Sequence, residues 1–376
     1  MQKISNQNLR TILALSLISG LGSKRIKLLV KAFDEPAKIF RLSKSELRSV
    51  ESIGEASALS ILAFKRWDDV DHILKETEKN KSQIVTIADA EYPTLLKQIY
   101  DPPALFWIKG NREVLSKAGV GVIGTRNATP YGKKMAEKLS KEMGEKGLCI
   151  FSGLAHGIDA ISHKAALDVG APTVAVLGSG IDNLYPKENA SLANRIVKEG
   201  GAVITEFPLR TNPDAGNFPV RNRIVSGMSL GVLVVESGIK GGSMITADLA
   251  LDQNREVFAV PHTLDNLYGS GCNYLIKTGA AKLVQTVDDI LEELPIEQGK
   301  KASINKNNFP EPKLWKNEEL DDLSKKICEF LEKGESQIDV MSDELEINTS
   351  QLLVTLLQLE MKELVLQKVG KIFSLK

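Results

Sequence analysis

The chain has 376 residues, of which 48 are basic and 48 acidic, and 43% are hydrophobic. That is enough apolar material for two or three globular domains. It excludes a globally basic nucleic-acid binder, so any such contact has to come from local placement of charge. The cysteines Cys149, Cys272 and Cys328 lie far apart, and neither they nor the four histidines have metal or redox spacing. No metal and no cofactor is expected, and a reducing, cytoplasmic compartment fits best.

Residues 1–80 read as a helical domain. Ile12 to Leu21 is apolar behind Lys3 and Arg10, like a short signal peptide. No small-residue cleavage site follows, so an amphipathic helix, Leu9–Ile18, is expected. No stretch is long enough to span a membrane. Residues 19–33, SGLGSKRIKLLVKAF, place Gly20 and Gly22 before a helix, and residues 51–67 repeat that logic. Such turns resemble helix-hairpin-helix modules, where backbone N–H groups approach a phosphate; they equally suit a plain helical bundle.

Residues 81–117 connect this front to a long alternating segment, so that 81–294 forms one sheet domain with its leading connector. Ile84–Ala88 and Leu105–Ile108 are expected as short strands. Apolar strands then follow at Gly119–Ile123, Leu148–Phe151, Thr173–Leu177, Ala202–Thr205, Val232–Val235, Val257–Val260 and Lys282–Val284. Helices between them include Pro130–Glu145, Asp159–Val169 and Ser191–Lys198. The fold class is therefore α/β, an extended Rossmann-like, doubly wound, mostly parallel sheet. Residues 295–317 carry three prolines and read as a linker. Residues 318–376 read as three helices (Leu320–Leu331, Ile338–Glu344, Ser350–Lys362) and a hairpin, an order that resembles a winged helix.

The informative loops all follow strand carboxyl ends, where open α/β sheets bind ligands. Gly124, Thr125 and Arg126 follow one strand, and Ser152 and Gly153 the next. Phe218, Arg221, Asn222 and Arg223 are expected just before a helix. Gly241, Gly242, Ser243 and Thr246 lead from an apolar strand into another helix, whose free N–H groups suit an anion. Lys164 lies one turn beyond Asp159, which is expected to cap its helix, and could reach the same rim. Arg126, Lys164, Arg221 and Arg223 are therefore expected to contact phosphates. No dinucleotide fingerprint, phosphate-binding P-loop pattern or catalytic triad is visible, and no catalytic residue is assigned. His156 and His163 read as ordinary surface or core histidines.

The motifs GTR (124–126), SGLAHGID (152–159), VLGSGIDNLYPKEN (176–189), TEFP (205–208), FPVRNRIVSG (218–227), VVESGIKGGSMITA (234–247) and REVFAVP (255–261) resemble the DNA-processing protein A family, also called Smf. The resemblance covers the whole sheet domain. His262 stands where a glycine commonly follows Ala-Val-Pro, and Thr125 where serine is frequent. The resemblance implies a binding protein without turnover that takes up single-stranded DNA and loads the RecA recombinase onto it in natural transformation, as a homodimer. The alternative is a nucleotide-binding enzyme similar to phosphoribohydrolases, but Ala247, Asp248, Leu249 and Ala250 leave no glutamate where those enzymes carry one. With aromatic residues at only 5%, phosphate contact and a few rings such as Phe207 or Phe218 are expected, rather than an extended stacking platform.

Charge divides the chain unevenly. Residues 1–80 hold 14 basic and 10 acidic residues, residues 118–290 hold 17 of each, and residues 318–376 hold 7 basic and 13 acidic. An acidic tail is repelled by DNA. It is expected to bind protein or to stabilise the chain.

Overall fold

The computed structural model describes residues 2–33, 35–295, 315, 320–332, 334–345, 347–362, 364–368 and 372–375. Most of the expected linker, 295–317, lies outside the described residues. The chain divides into two compact units, Met1–Glu297 and Gln298–Lys376.

The first unit begins with helices α1 (Gln2–Ser16), α2 (Ser23–Ala32), α3 (Lys44–Arg48), α4 (Glu55–Leu62) and α5 (Trp67–Lys79). Ser43 and Glu46 form a reciprocal capping box at the start of α3. Ile12, Leu15, Ile26, Leu29, Ile61 and Val70 close a core that also takes in Leu105 and Trp107 of the sheet. The Trp107 indole N–H donates to Thr77 Oγ1 at 3.0 Å. The helical front is thus fastened to the sheet by buried apolar area, the main favourable term in folding.

An antiparallel hairpin of β1 (Gln83–Thr86) and β2 (Leu105–Gly110), with α6 (Thr94–Gln98) between its strands, forms one sheet edge. The strands β3 (Gly119–Gly124), β4 (Cys149–Ser152), β5 (Thr173–Val176), β6 (Ala202–Thr205), β7 (Gly231–Glu236), β8 (Glu256–Ala259) and β9 (Lys282–Leu283) follow. Between them run α7 (Pro130–Glu145), α8 (Ile158–Asp168), α9 (Ala190–Lys198), α10 (Asn217–Met228), α11 (Gly242–Asp252) and α12 (Ser270–Lys277), and α13 (Asp288–Leu291) closes the unit. The order across the sheet is β1-β2-β6-β5-β4-β3-β7-β8-β9, with β2 antiparallel to β6 and β3 to β9 parallel.

Strands buried on both faces have no polar face to alternate with, which is why these runs are continuously apolar. Val232 and Val234 pack under α10, α11 and α12, while Leu233 and Val235 pack under α7. From β3 the chain winds outward to β4, and β7 starts the opposite half. The sheet therefore has its topological switch between β3 and β7. There the β3/β7 register shifts at Ile123 and Gly124, so that Gly124 pairs with Glu236.

The second unit contains α14 (Asp322–Leu331), β10 (Ser336–Gln337), α15 (Ile338–Leu345), α16 (Thr349–Met361), β11 (Val365–Lys368) and β12 (Ile372–Leu375). Its sheet order is β10-β12-β11, and Ile327, Leu331, Leu352, Leu356 and Phe373 form its core. The expected helices and hairpin form; β10 adds a strand too short to show a period.

Candidate nucleic-acid interface

The loops after β3, β4 and β7 and the start of α10 surround a cleft of about 400 Å³. Gly124, Thr125 and Arg126 line it from β3, and Gly153 and Asp159 from the β4 side. Phe218, Arg221 and Asn222 line it from α10. Gly241, Gly242, Ser243 and Thr246 line it from the first turns of α11, which begins at Gly242. First-turn N–H groups have no acceptor inside their own helix; Met244 N–H turns back to the Gly241 carbonyl, which leaves those of Gly242 and Ser243 as donors at the cleft.

Two fastenings shape this cleft. Glu236, fully buried at the end of β7, accepts from the Thr129 N–H at 2.8 Å and from the Thr129 hydroxyl at 2.6 Å. Thr129 caps α7, so the loop carrying Thr125 and Arg126 is tied across the switch point. Gly157 precedes α8 at φ +76°, and a Cβ there would lie 2.3 Å from the Thr125 carbonyl oxygen. Only glycine fits both the backbone and the approach.

Arg221 is the unusual residue. It is only 6% exposed, and its Nη1 donates to the Val176 carbonyl. Its Nε–H is buried without a partner. A Cβ on Gly153 would come within 2.3 Å of both Arg221 Nη1 and Asp159 Oδ2, so this glycine lets the guanidinium and the carboxylate close in from two sides. Among the described residues Arg221 forms no ion pair within 4 Å. Burial holds its pKa below the ordinary arginine value, against the pull of Asp159. Burial likewise raises Asp159, although Arg221 and the Ala155 N–H pull it down. Arg126 is exposed, its guanidinium 5.5 Å from the Phe218 ring centroid, and Tyr185 lies 5.9 Å from that ring on centroids. The arrangement is a donor-lined cleft with one aromatic wall and a buried guanidinium that keeps one unsatisfied N–H, with the Asp159 carboxylate near it but outside ion-pair contact.

Residues 83–295 match the family described as DNA recombination-mediator protein A. The chain belongs to this family. It is 32% identical to Protein Smf of Synechocystis sp. across 95% of this chain and 96% of that protein. It is 42% identical to DNA processing protein DprA of Bacillus subtilis over 64% of this chain and 81% of that protein. The crystal structure of DNA processing protein A from Streptococcus pneumoniae superposes with a TM-score of 0.65 at 33% identity, covering 77% of this chain and 98% of that one. A structure of the Helicobacter pylori protein, concerned with its single-stranded DNA binding mode, gives a TM-score of 0.52 at 28% identity over 56% of this chain and 94% of that one.

Three residues expected at the ligand edge do not line this cleft. Ser152 is buried beneath it, its hydroxyl donating to the Val122 carbonyl at 2.6 Å. Lys164 is exposed on α8 but does not line the cleft. Arg223 is engaged by Glu206 and by the Asp101 carbonyl. The expectation that both arginines precede a helix is corrected by α10, which contains them. Residues two apart on a helix differ by about 200° in direction, so they face opposite ways. Asp159 lies within the first turn of α8, where Gly157 holds the cap position, and accepts from the Ala155 N–H at 3.3 Å. Among the described residues, no group of three His, Cys, Asp or Glu is placed to hold a metal, and no helix is long and apolar enough to cross a membrane.

His163, fully buried, braces the β4 loop from behind through Gly153 O and Thr173 Oγ1, each at 2.6 Å. Burial lowers its pKa to about 4. A histidine whose folded pKa is depressed contributes fully above its unfolded value of about 6.5, and that contribution is lost as pH falls towards 4. The native protein is therefore expected to lose about 3 kcal/mol more than His163→Gln between pH 7 and 4. Denaturant titrations at stepped pH measure this; parallel curves for the two proteins refute it.

Proposed function

We propose that this protein binds single-stranded DNA by its phosphates at the β3/β7 switch point and hands the strand to the RecA recombinase in natural transformation. It does so by binding, without turnover. The observation that carries the binding reading is the buried Arg221 guanidinium, with its unpartnered Nε–H, in a cleft lined by Gly153, Gly241 and Gly242. A buried guanidinium with an unsatisfied N–H is unfavourable unless a ligand supplies the missing acceptor, and an anionic one matches its charge best. The first turn of α11 supplies neutral donors to the same anion. Arg126 adds an exposed charge, and Phe218 a face for one base. The proposed contact set is Gly124, Thr125, Arg126, Gly153, Phe218, Arg221, Asn222, Gly241, Gly242, Ser243 and Thr246. The reading is supported by the Helicobacter pylori relative, whose structure concerns single-stranded DNA binding. Delivery to RecA, a cytoplasmic setting and a homodimer rest on family membership.

Anisotropy of labelled single strands over a salt series tests the binding reading. Affinity should fall with salt by about 0.7 log units per log unit for each phosphate held. A salt-independent or undetectable interaction refutes it. Gly242 gives the cleanest local test, because a Cβ there meets nothing within 4 Å. Gly242→Val should therefore leave the melting temperature within a few degrees and weaken DNA binding about tenfold or more by occupying the anion position. Native affinity in the folded variant would make the α11 loop a structural turn only.

A further inference from the structure

We propose that α2 and α6 carry a second contact track for the backbone of the same DNA strand, outside the cleft. This inference rests on the single-stranded DNA reading above. The helix α2 holds Lys24, Arg25, Lys27 and Lys31 and no acidic residue. The neighbouring α6 adds Lys97, and the chain just beyond it presents Tyr100, 77% exposed. Lys24 Nζ donates to the Tyr100 hydroxyl at 2.7 Å and sits 4.1 Å from its ring centroid, so this ring is held outward by a cation. Lys27 Nζ donates to the Ile99 carbonyl at 3.0 Å, joining α2 to the same segment. Burial and then the charges of Lys31 and Lys97 lower its pKa, with Asp101 opposing. Lys31 and Lys97 thus repel the Lys27 ammonium. Asp101, the acid that acts on Lys27, lies 3.6 Å from Arg223. Among the described residues Lys24, Lys27, Lys31 and Lys97 form no ion pair.

Four cations that form no ion pair among the described residues, beside a presented aromatic ring, fit a polyanion that carries stackable bases. Continuity with the cleft favours the strand already held there. Leu96 and Ile99 pack beside Gly227 of α10, the helix whose other residues Arg221 and Asn222 line the cleft. An acidic protein would match the lysines and leave the ring unused.

The test compares the full-length protein with a Lys24→Gln, Lys31→Gln, Lys97→Gln triple variant on oligothymidylates of about 6 and about 30 nucleotides, bracketing the usual site sizes. Of these lysines only Lys24 makes a described side-chain bond, to the exposed Tyr100 hydroxyl, so the buried core is untouched and the fold is retained. On the long strand the variant should lose about tenfold in affinity at low salt, with a salt slope shallower by about 2. On the short strand it should match the native protein. Equal long-strand affinity and slope in the two proteins would overturn the track while leaving the cleft reading intact. If the native protein binds neither strand, the cleft reading falls and this one with it. If the variant loses short-strand affinity in equal measure, the lysines belong to the cleft and no separate track exists.

Discussion

Arg221→Met should weaken single-stranded DNA binding about a hundredfold while leaving the protein folded. A charge-assisted contact in a dry site contributes about 2–3 kcal/mol, so the loss should be roughly a hundredfold. The stability side has the opposite sign from intuition. Burial lowers the Arg221 pKa, which means that the folded state disfavours this charge. An apolar side chain of similar length removes that penalty, and the melting temperature at neutral pH should stay within a few degrees of native. Asp159 supplies the check. Its folded pKa is already raised by burial, and losing Arg221 raises it further. An acid with a raised folded pKa destabilises the fold as pH climbs from its ordinary value through the folded one. Any deficit of Arg221→Met should therefore shrink as pH is lowered into the acid range, and adding Asp159→Asn should remove it. Calorimetry at stepped pH and anisotropy at fixed salt measure both halves. Native affinity in the folded variant would end the phosphate assignment.

The sheet was readable from the sequence because strands covered on both faces must be apolar throughout. Gly231 to Val235 shows that without any partner information. Glycine-rich loops at strand ends likewise mark a ligand edge before the strand order is known. Pairings across long separations are not local properties and were not readable. Thr129 and Glu236 meet across 107 positions, and Arg221 meets Val176 across 45. The helix α10 was missed at its start because Pro219, the small residues and the paired arginines blur its period. Losing that helix made Arg221 and Arg223 look like equivalent neighbours. Lys164 and Ser152 lie off the cleft for a related reason: Ser152 is the last residue of β4 with its side chain turned into the core, and Lys164 sits on the body of α8, so the register within each element decides which side chains face the cleft.

The contrast between the two arginines gives the other large effect. Arg223→Met should destabilise the protein by about 3–5 kcal/mol, because it removes one partner of a buried pair. Arg223 and Glu206 side chains are only 12% and 13% exposed, and two guanidinium nitrogens meet the two carboxylate oxygens, one contact at 2.6 Å. Arg223 Nε also donates to the Asp101 carbonyl at 3.0 Å. Burial alone would lower its pKa, but hydrogen bonding and charge from Glu206, with Asp101, more than offset that and raise it. Here the folded state favours the charge, the reverse of Arg221. The pair ties α10 to the end of β6 and to the chain after α6, so α10 should loosen when it is cut. A drop in melting temperature of about 10 °C is expected for a domain of this size. Glu206→Leu added to Arg223→Met should recover most of the loss, because it removes the stranded carboxylate. Measured well below the melting transition, Arg223→Met should hold single-stranded DNA with native affinity and native salt slope, since its charge is already satisfied inside the fold. An unchanged melting temperature, or a salt slope shallower by about 0.7, would instead make Arg223 a phosphate contact.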